Sequence, residues 1–143
     1  MRPLVLVVMG VSGAGKTTIG RRVAAVLGWP FQDADGLHPQ ANIDKMAGGH
    51  PLDDADRAPW LAALRHWVAA RLAAGEHGVL AASLLKPRYR EQVIGGDARV
   101  GLVYLHADPD LLRARMAARQ GHFMAAGMLE SQLAALDPPG VAE

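Results

Sequence analysis

An apolar run, Leu4-Val5-Leu6-Val7-Val8-Met9, leads directly into Gly10-Val11-Ser12-Gly13-Ala14-Gly15-Lys16-Thr17. The run has no polar alternation, so it reads as a strand buried on both faces, as in a parallel sheet. The next eight residues fit G-x-x-x-x-G-K-[ST]. Glycines there let backbone N–H groups close around phosphate oxygens, and a helix N-terminus adds the positive end of its dipole. Lys16 is expected to reach the β- and γ-phosphates of a nucleotide and Thr17 to ligate Mg²⁺. A buried strand, a phosphate loop and an amphipathic helix in succession admit few folds.

The rest of the chain repeats the alternation. Ile19, Val23, Val26 and Leu27 give Thr17 to Leu27 a helical spacing, with Gly28 as its stop. A short strand follows at Phe31 to Asp33 and a short helix at Pro39 to Met46. Asp53 to Ala74 is the clearest helix: Trp60, Leu61, Leu64, Trp67, Val68 and Leu72 form one apolar stripe, and Pro59 is assigned to its first turn. Trp60 and Trp67 are therefore read as core. Strands are expected at Val79 to Ala82 and Val100 to Leu105. Helices are expected at Pro87 to Val93, from Asp108 to about Ala118, and from Met128 to Leu136. This pattern predicts an α/β fold, a P-loop NTPase-type three-layer sandwich around a parallel sheet. The 143 residues are read as a single domain.

Composition narrows the function classes. A formal net charge of +1 argues against a coat for nucleic acid or an anionic membrane. The chain has no cysteine, which removes disulfides and thiolate metal sites. No stretch approaches the roughly 18 apolar residues of a membrane span, and six apolar residues are too few for a secretory signal. A cytoplasmic protein is expected. No [NT]-K-x-D guanine-reading element is found, and the chain is short for a motor or transporter ATPase, so a small phosphotransferase fits best.

Asp33 and Asp35 stand at the end of the second strand. On an extended segment residues i and i+2 point the same way, so both carboxylates can face the crevice above the carboxyl ends of the strands, where ligands bind in such folds. One would hold the Mg²⁺ shell and the other take a proton from an acceptor hydroxyl. The alternative is that both are turn or cap residues.

Longer segments carry a resemblance. Asp33-Ala34-Asp35-Gly36-Leu37-His38-Pro39 precedes Asn42-Ile43-Asp44-Lys45-Met46, and then comes Pro51-Leu52-Asp53-Asp54-Ala55-Asp56-Arg57-Ala58-Pro59-Trp60-Leu61. Ser83-Leu84-Leu85-Lys86-Pro87-Arg88-Tyr89-Arg90 and Arg119-Gln120-Gly121-His122-Phe123 follow. Together, from about Val5 to Pro138, these resemble the gluconate kinase family of P-loop kinases. The resemblance implies ATP-dependent phosphorylation of D-gluconate at its 6-hydroxyl, with ATP and Mg²⁺ as cofactors. Asp35 would orient or deprotonate the hydroxyl, and Asp33 would hold Mg²⁺ through water. A homodimer is expected from the resemblance alone.

Several cations should surround the transferring phosphoryl group. Arg57 can grip a substrate carboxylate bidentately; otherwise it is a surface residue at a helix start. Lys86 and Arg90 are either substrate contacts or a solvated helix face. Arg115 and Arg119 lie four apart on one helix and lead into a lid around residues 115–127, whose arginines would cover ATP; otherwise they form an ordinary charged face. His38 is read as a substrate hydrogen-bond partner and His122 as a lid or packing residue.

The chain also departs from the family. Ala82-Ser83-Leu84-Leu85-Lys86 stands where Cys-Ser-Ala-Leu-Lys is usual, which places Leu84 near the crevice. The resemblance implies strand order 2-3-1-4-5, but only four strands are read here, giving 2-3-1-4 with the fifth strand missing from a shortened C-terminus. Two competing readings follow: a kinase for another small hydroxy acid, such as shikimate, and a shortened ATP-binding paralogue without activity.

Overall fold

The computed structural model describes residues 4–11, 15–50, 52–106 and 108–118 (backbone alone at 115–118), together with 133, 134 and 136. The phosphate-loop residues Ser12, Gly13 and Ala14, and the lid segment with Arg119 and His122, lie outside the described residues. So do the Arg115 side chain and most of the helix expected at Met128 to Leu136.

Among the described residues four strands form one parallel sheet: β1 (Val5–Met9), β2 (Phe31–Asp33), β3 (Gly78–Ala81) and β4 (Val100–Tyr104). Their order is β2-β3-β1-β4, as expected from the sequence. In register, Val7 lies opposite Leu80 on one side and Leu102 on the other. Five α-helices among the described residues connect and cover them: α1 (Lys16–Leu27), α2 (Gln40–Ala47), α3 (Asp54–Ala74), α4 (Pro87–Ile94) and α5 (Pro109–Ala118).

Alternation along the central strand builds the three layers. Val5 and Val7 of β1 point to one face, with Leu80 of β3, and pack on Trp60, Leu61, Leu64 and Val68 of α3 and Tyr89 and Val93 of α4. Leu6 and Val8 point to the other, where Val79 and Ala24 of α1 meet them. A strand with apolar residues on both faces must be covered on both. The layer on the α1 side is thin because α1 approaches closely. A Cβ on Gly20 would come within 2.7 Å of the Phe31 ring, so that residue has to be glycine for α1 to lie on β2 at this distance.

α3 departs from expectation at Pro59. Its N-terminus is closed by a capping box: the Asp53 carboxylate accepts from the Asp56 N–H at 2.8 Å, and the Asp56 carboxylate accepts from the Asp53 N–H at 3.0 Å. Pro59 is therefore in the second turn, inside the helix rather than in its first turn. The buried stripe behind it compensates the missing hydrogen bond: Trp60, Leu61, Leu64 and Val68 are all buried. Trp60 and Trp67 are core-facing, as read from the spacing, although Trp67 is only half-buried. Leu84 is fully buried in the main core, so the larger side chain fills the interior and not the crevice.

Candidate active site

All the predicted site residues that the structure describes lie near the carboxyl ends of the parallel strands, where an open α/β sheet offers its crevice. The loop after β1 brings Gly10, Val11 and Gly15 there. Gly10 (φ 153°) and Gly15 (φ 98°) adopt positive φ, which favours glycine. Gly15 is the N-cap of α1, no side chain caps that helix, and its first turn carries no acid. The positive end of the α1 dipole is thus not offset by a carboxylate of its own first turn, which suits an anion site. Lys16 Nζ donates to the Val11 carbonyl at 3.3 Å and so is folded back over the loop.

Thr17 and Asp33 meet directly. Thr17 Oγ1 donates to Asp33 Oδ2 at 2.9 Å, joining the start of α1 to the end of β2. Asp33 Oδ1 accepts the Asp35 N–H at 3.0 Å and caps a 3₁₀ turn, Ala34–Leu37. This corrects the extended geometry expected for the two carboxylates. Asp33 is the last strand residue and Asp35 is already in the turn, so their proximity comes from the turn and not from strand alternation. Asp33 is thus a cap, the alternative posed from sequence, and it also accepts from the Thr17 hydroxyl, which the sequence did not suggest. The donor pair, a hydroxyl and a carboxylate, consists of hard oxygens of the kind Mg²⁺ takes.

The 3₁₀ turn delivers His38 to the same crevice. Its ring stacks on Trp60, centroids 4.4 Å apart and planes within 9°. Trp60 is itself held by an Nε1–H donated to the Ala34 carbonyl at 2.8 Å. Burial, and then the Arg57 guanidinium, push the His38 pKa down to about 4, so the ring is neutral at neutral pH. Asn42, buried in α2, donates its Nδ2 to the Asp56 carbonyl at 2.8 Å and lies 3.2 Å from His38 Nδ1. Lys45 adds an ion pair to Asp56 at 2.6 Å, tying α2 to α3.

Arg57 is not a loose surface residue. Its side chain is 24% exposed, and Nη1 donates to the Tyr89 hydroxyl at 3.0 Å. Tyr89 in turn donates to Asp54 Oδ1 at 2.7 Å, and Arg88 donates to both Asp54 oxygens at 2.9 Å. The Tyr89 hydroxyl, more than the nearby arginines, holds the Asp54 carboxyl below the usual range.

Lys86 is half-buried at the N-cap of α4, beside the end of β3. Arg90 is corrected: it is 2% exposed and donates to the Leu84 carbonyl at 2.9 Å, so it is not on a solvated helix face. Its guanidinium holds the loop between β3 and α4.

Sequence reasoning missed Tyr89, Asp54 and Asn42 as parts of the site. All three lie in the segments that carry the family resemblance, and His38 to Asn42 is an i,i+4 spacing. Tyr89 is 32 residues from Arg57, and nothing local announces that contact.

Fold, loop and carboxylates define a P-loop nucleotide-binding protein, and a family model described as an AAA domain matches residues 5–139. More narrowly, the chain belongs to the gluconokinase family. It is 50% identical over 140 residues to the gluconokinase of Gluconobacter oxydans, covering 98% of this chain and 79% of that one. A sugar kinase structure from Janibacter superposes with a TM-score of 0.91 at 42% identity, covering 99% of this chain and 82% of that one. A gluconokinase structure from Sinorhizobium meliloti gives 0.79 at 44% identity, covering 97% and 78%.

Proposed function

We propose that this chain transfers the γ-phosphoryl group of ATP to the 6-hydroxyl of D-gluconate, giving 6-phospho-D-gluconate. The observation that carries the reading is the Thr17–Asp33 hydrogen bond at 2.9 Å, because it joins the phosphate loop to the turn bearing Asp35 and His38. Phosphoryl transfer needs positioning and charge stabilisation more than covalent chemistry from the protein. The N–H groups at the start of α1 hold the phosphates, and Lys16 moves from the Val11 carbonyl to the β- and γ-phosphates. Asp35 orients the acceptor hydroxyl and takes its proton. Arg57 grips the gluconate carboxylate, with Lys86 as a second cation near the crevice. Arg115 and Arg119 are assigned to ATP from their sequence pattern. Thr17 and Asp33 would hold Mg²⁺, which neutralises phosphate charge when bound.

Support comes from family membership at 40–50% identity over nearly the whole chain. No helix among the described residues is long and apolar enough to cross a membrane; a cytoplasmic location and a homodimer belong to the same proposal. The test is turnover of purified protein with ATP, Mg²⁺ and gluconate, with shikimate as the control acceptor. Gluconate-dependent ADP release is expected. Preference for shikimate would replace the acceptor, and ATP binding without turnover on either would make the chain an inactive paralogue.

A further inference from the structure

A backbone carbonyl determines which way the buried Asn42 amide points. Nδ2 lies 2.8 Å from the Asp56 carbonyl oxygen. With the amide reversed, two oxygens would face each other at hydrogen-bond distance, so the nitrogen must be on that side. The same nitrogen is 3.2 Å from His38 Nδ1. An amide nitrogen only donates, and its two hydrogens are then divided between the Asp56 carbonyl and the ring. Nδ1 must therefore be the acceptor, and a neutral imidazole with an accepting Nδ1 carries its hydrogen on Nε2. The Trp60 stack fixes the plane in which that hydrogen lies.

We infer that Asn42 is a positioning residue that holds His38 in the Nε2–H tautomer, making His38 a neutral hydrogen-bond donor to an oxygen of the polyhydroxy acid acceptor. The inference rests on the reading of this crevice as the acceptor site. His38 has the right place for it: its backbone N–H donates to the Asp35 backbone carbonyl at 3.4 Å, which keeps the residue on the turn that bears Asp35, and Arg57 is near enough to act on the ring. A neutral donor suits a polyol hydroxyl or the acid's carbonyl-type oxygen, and it leaves charge recognition to Arg57. The arrangement also disfavours the imidazolium, because a hydrogen on Nδ1 would face the Asn42 amide hydrogens. Burial and Arg57 act in the same direction.

The experiment begins with the imidazole ¹⁵N resonances of the whole protein at pH 7, His38 being assigned among the six histidines by His38→Gln. The expected pattern is an unprotonated Nδ1 and a protonated Nε2. A protonated Nδ1, or a doubly protonated ring, overturns the inference in the wild-type protein, whatever the variants do. Gluconate should then shift the Nε2 resonance, and no shift at saturating gluconate overturns the donor role even without turnover. Kinetics provide the third arm. His38→Gln places an amide nitrogen near the ε position and should stay within about threefold of wild-type KM. His38→Asn and Asn42→Asp should raise the KM for gluconate roughly 3- to 10-fold, the scale of one lost hydrogen bond, with the KM for ATP and kcat little changed. Equal losses in kcat and in both KM values would mean a structural role and reject the assignment. If the wild type binds no gluconate, the acceptor-site reading fails, and the tautomer measurement still decides the Asn42–His38 relation.

Discussion

Lys16 and Asp35 are assigned opposite ends of the transferring group, and each has a separate kinetic signature. Lys16→Ala should lower kcat by roughly 10²–10³, the scale for losing one partner of the developing charge. Near-normal turnover in the folded variant would take Lys16 out of the mechanism. Asp35→Asn keeps shape and removes the carboxylate, and kcat should fall roughly 10²–10⁴ with ATP binding little changed. A loss confined to ATP affinity would instead give Asp35 a metal role beside Asp33. His38 makes a pH prediction with a definite sign. Its pKa is 6.5 ordinarily and about 4 in the folded chain, by burial first and the Arg57 charge second. Between those values the unfolded chain binds a proton on this ring that the folded chain does not. Stability from this source is therefore complete above pH 6.5 and is lost as pH falls toward 4. Thermal melts across that window should fall less steeply for His38→Gln than for wild type, and parallel slopes would show that His38 is not the responsible group.

At the scale of elements, the Tyr89 hydroxyl of α4 bridges two side chains of α3, beside the Arg88–Asp54 ion pair. Tyr89 accepts from Arg57 and donates to Asp54, and the guanidinium of Arg57 also lies 5.4 Å from the centre of its ring. Tyr89→Phe keeps the ring and the packing but removes the bond that aims Arg57. The KM for gluconate should rise about threefold to tenfold, with kcat and the KM for ATP nearly unchanged. A rise in the ATP term alone would move Arg57 to the nucleotide side. The same N-terminal end of α3 is tied on its α2 side as well, by the capping box and the Lys45–Asp56 ion pair. Arg90 shows why element context matters. In sequence it is one more cation after β3, but the packing of α4 turns it inward to hold the Leu84 carbonyl.

At the scale of the whole molecule, β4 is the strand whose pairing makes a prediction. Among the described residues β4 pairs only with β1, and Val103 is 38% exposed. A hollow of about 640 Å³ runs beside it, lined by Pro87, Ile94, Val100 and Leu102 among others. The Leu105 N–H bonds to the Met9 carbonyl at 2.9 Å. Amides alternate in direction along a strand, so those of Leu102 and Tyr104 face away from β1. They should exchange hydrogen faster than the Leu105 amide in the isolated chain. Equal protection would show that another segment or a second copy pairs with this edge, which is the usual fate of an uncovered apolar strand.

The amino-acid sequence alone determined the alternation of elements, the phosphate loop and the family, because each is written in short-range spacing: the unbroken β1 run, the eight loop residues, the apolar stripe of α3. The sheet order followed from the family resemblance, and the apolar pattern of β1 by itself required only that this strand be covered on both faces. What it could not determine were relations between atoms that only packing brings together. The Thr17–Asp33 bond spans 16 residues and the Arg57–Tyr89 bond 32. Asp33 and Asp35 were paired on a strand geometry that the 3₁₀ turn replaced, and Pro59 fell a turn deeper into α3 than its residue type suggested. The direction of the Asn42 amide, and with it the tautomer of His38, depends on one carbonyl of α3 lying against α2. Propensity and periodicity act along the chain, whereas hydrogen-bond direction is decided across it, by which donor the folded core sets against which acceptor.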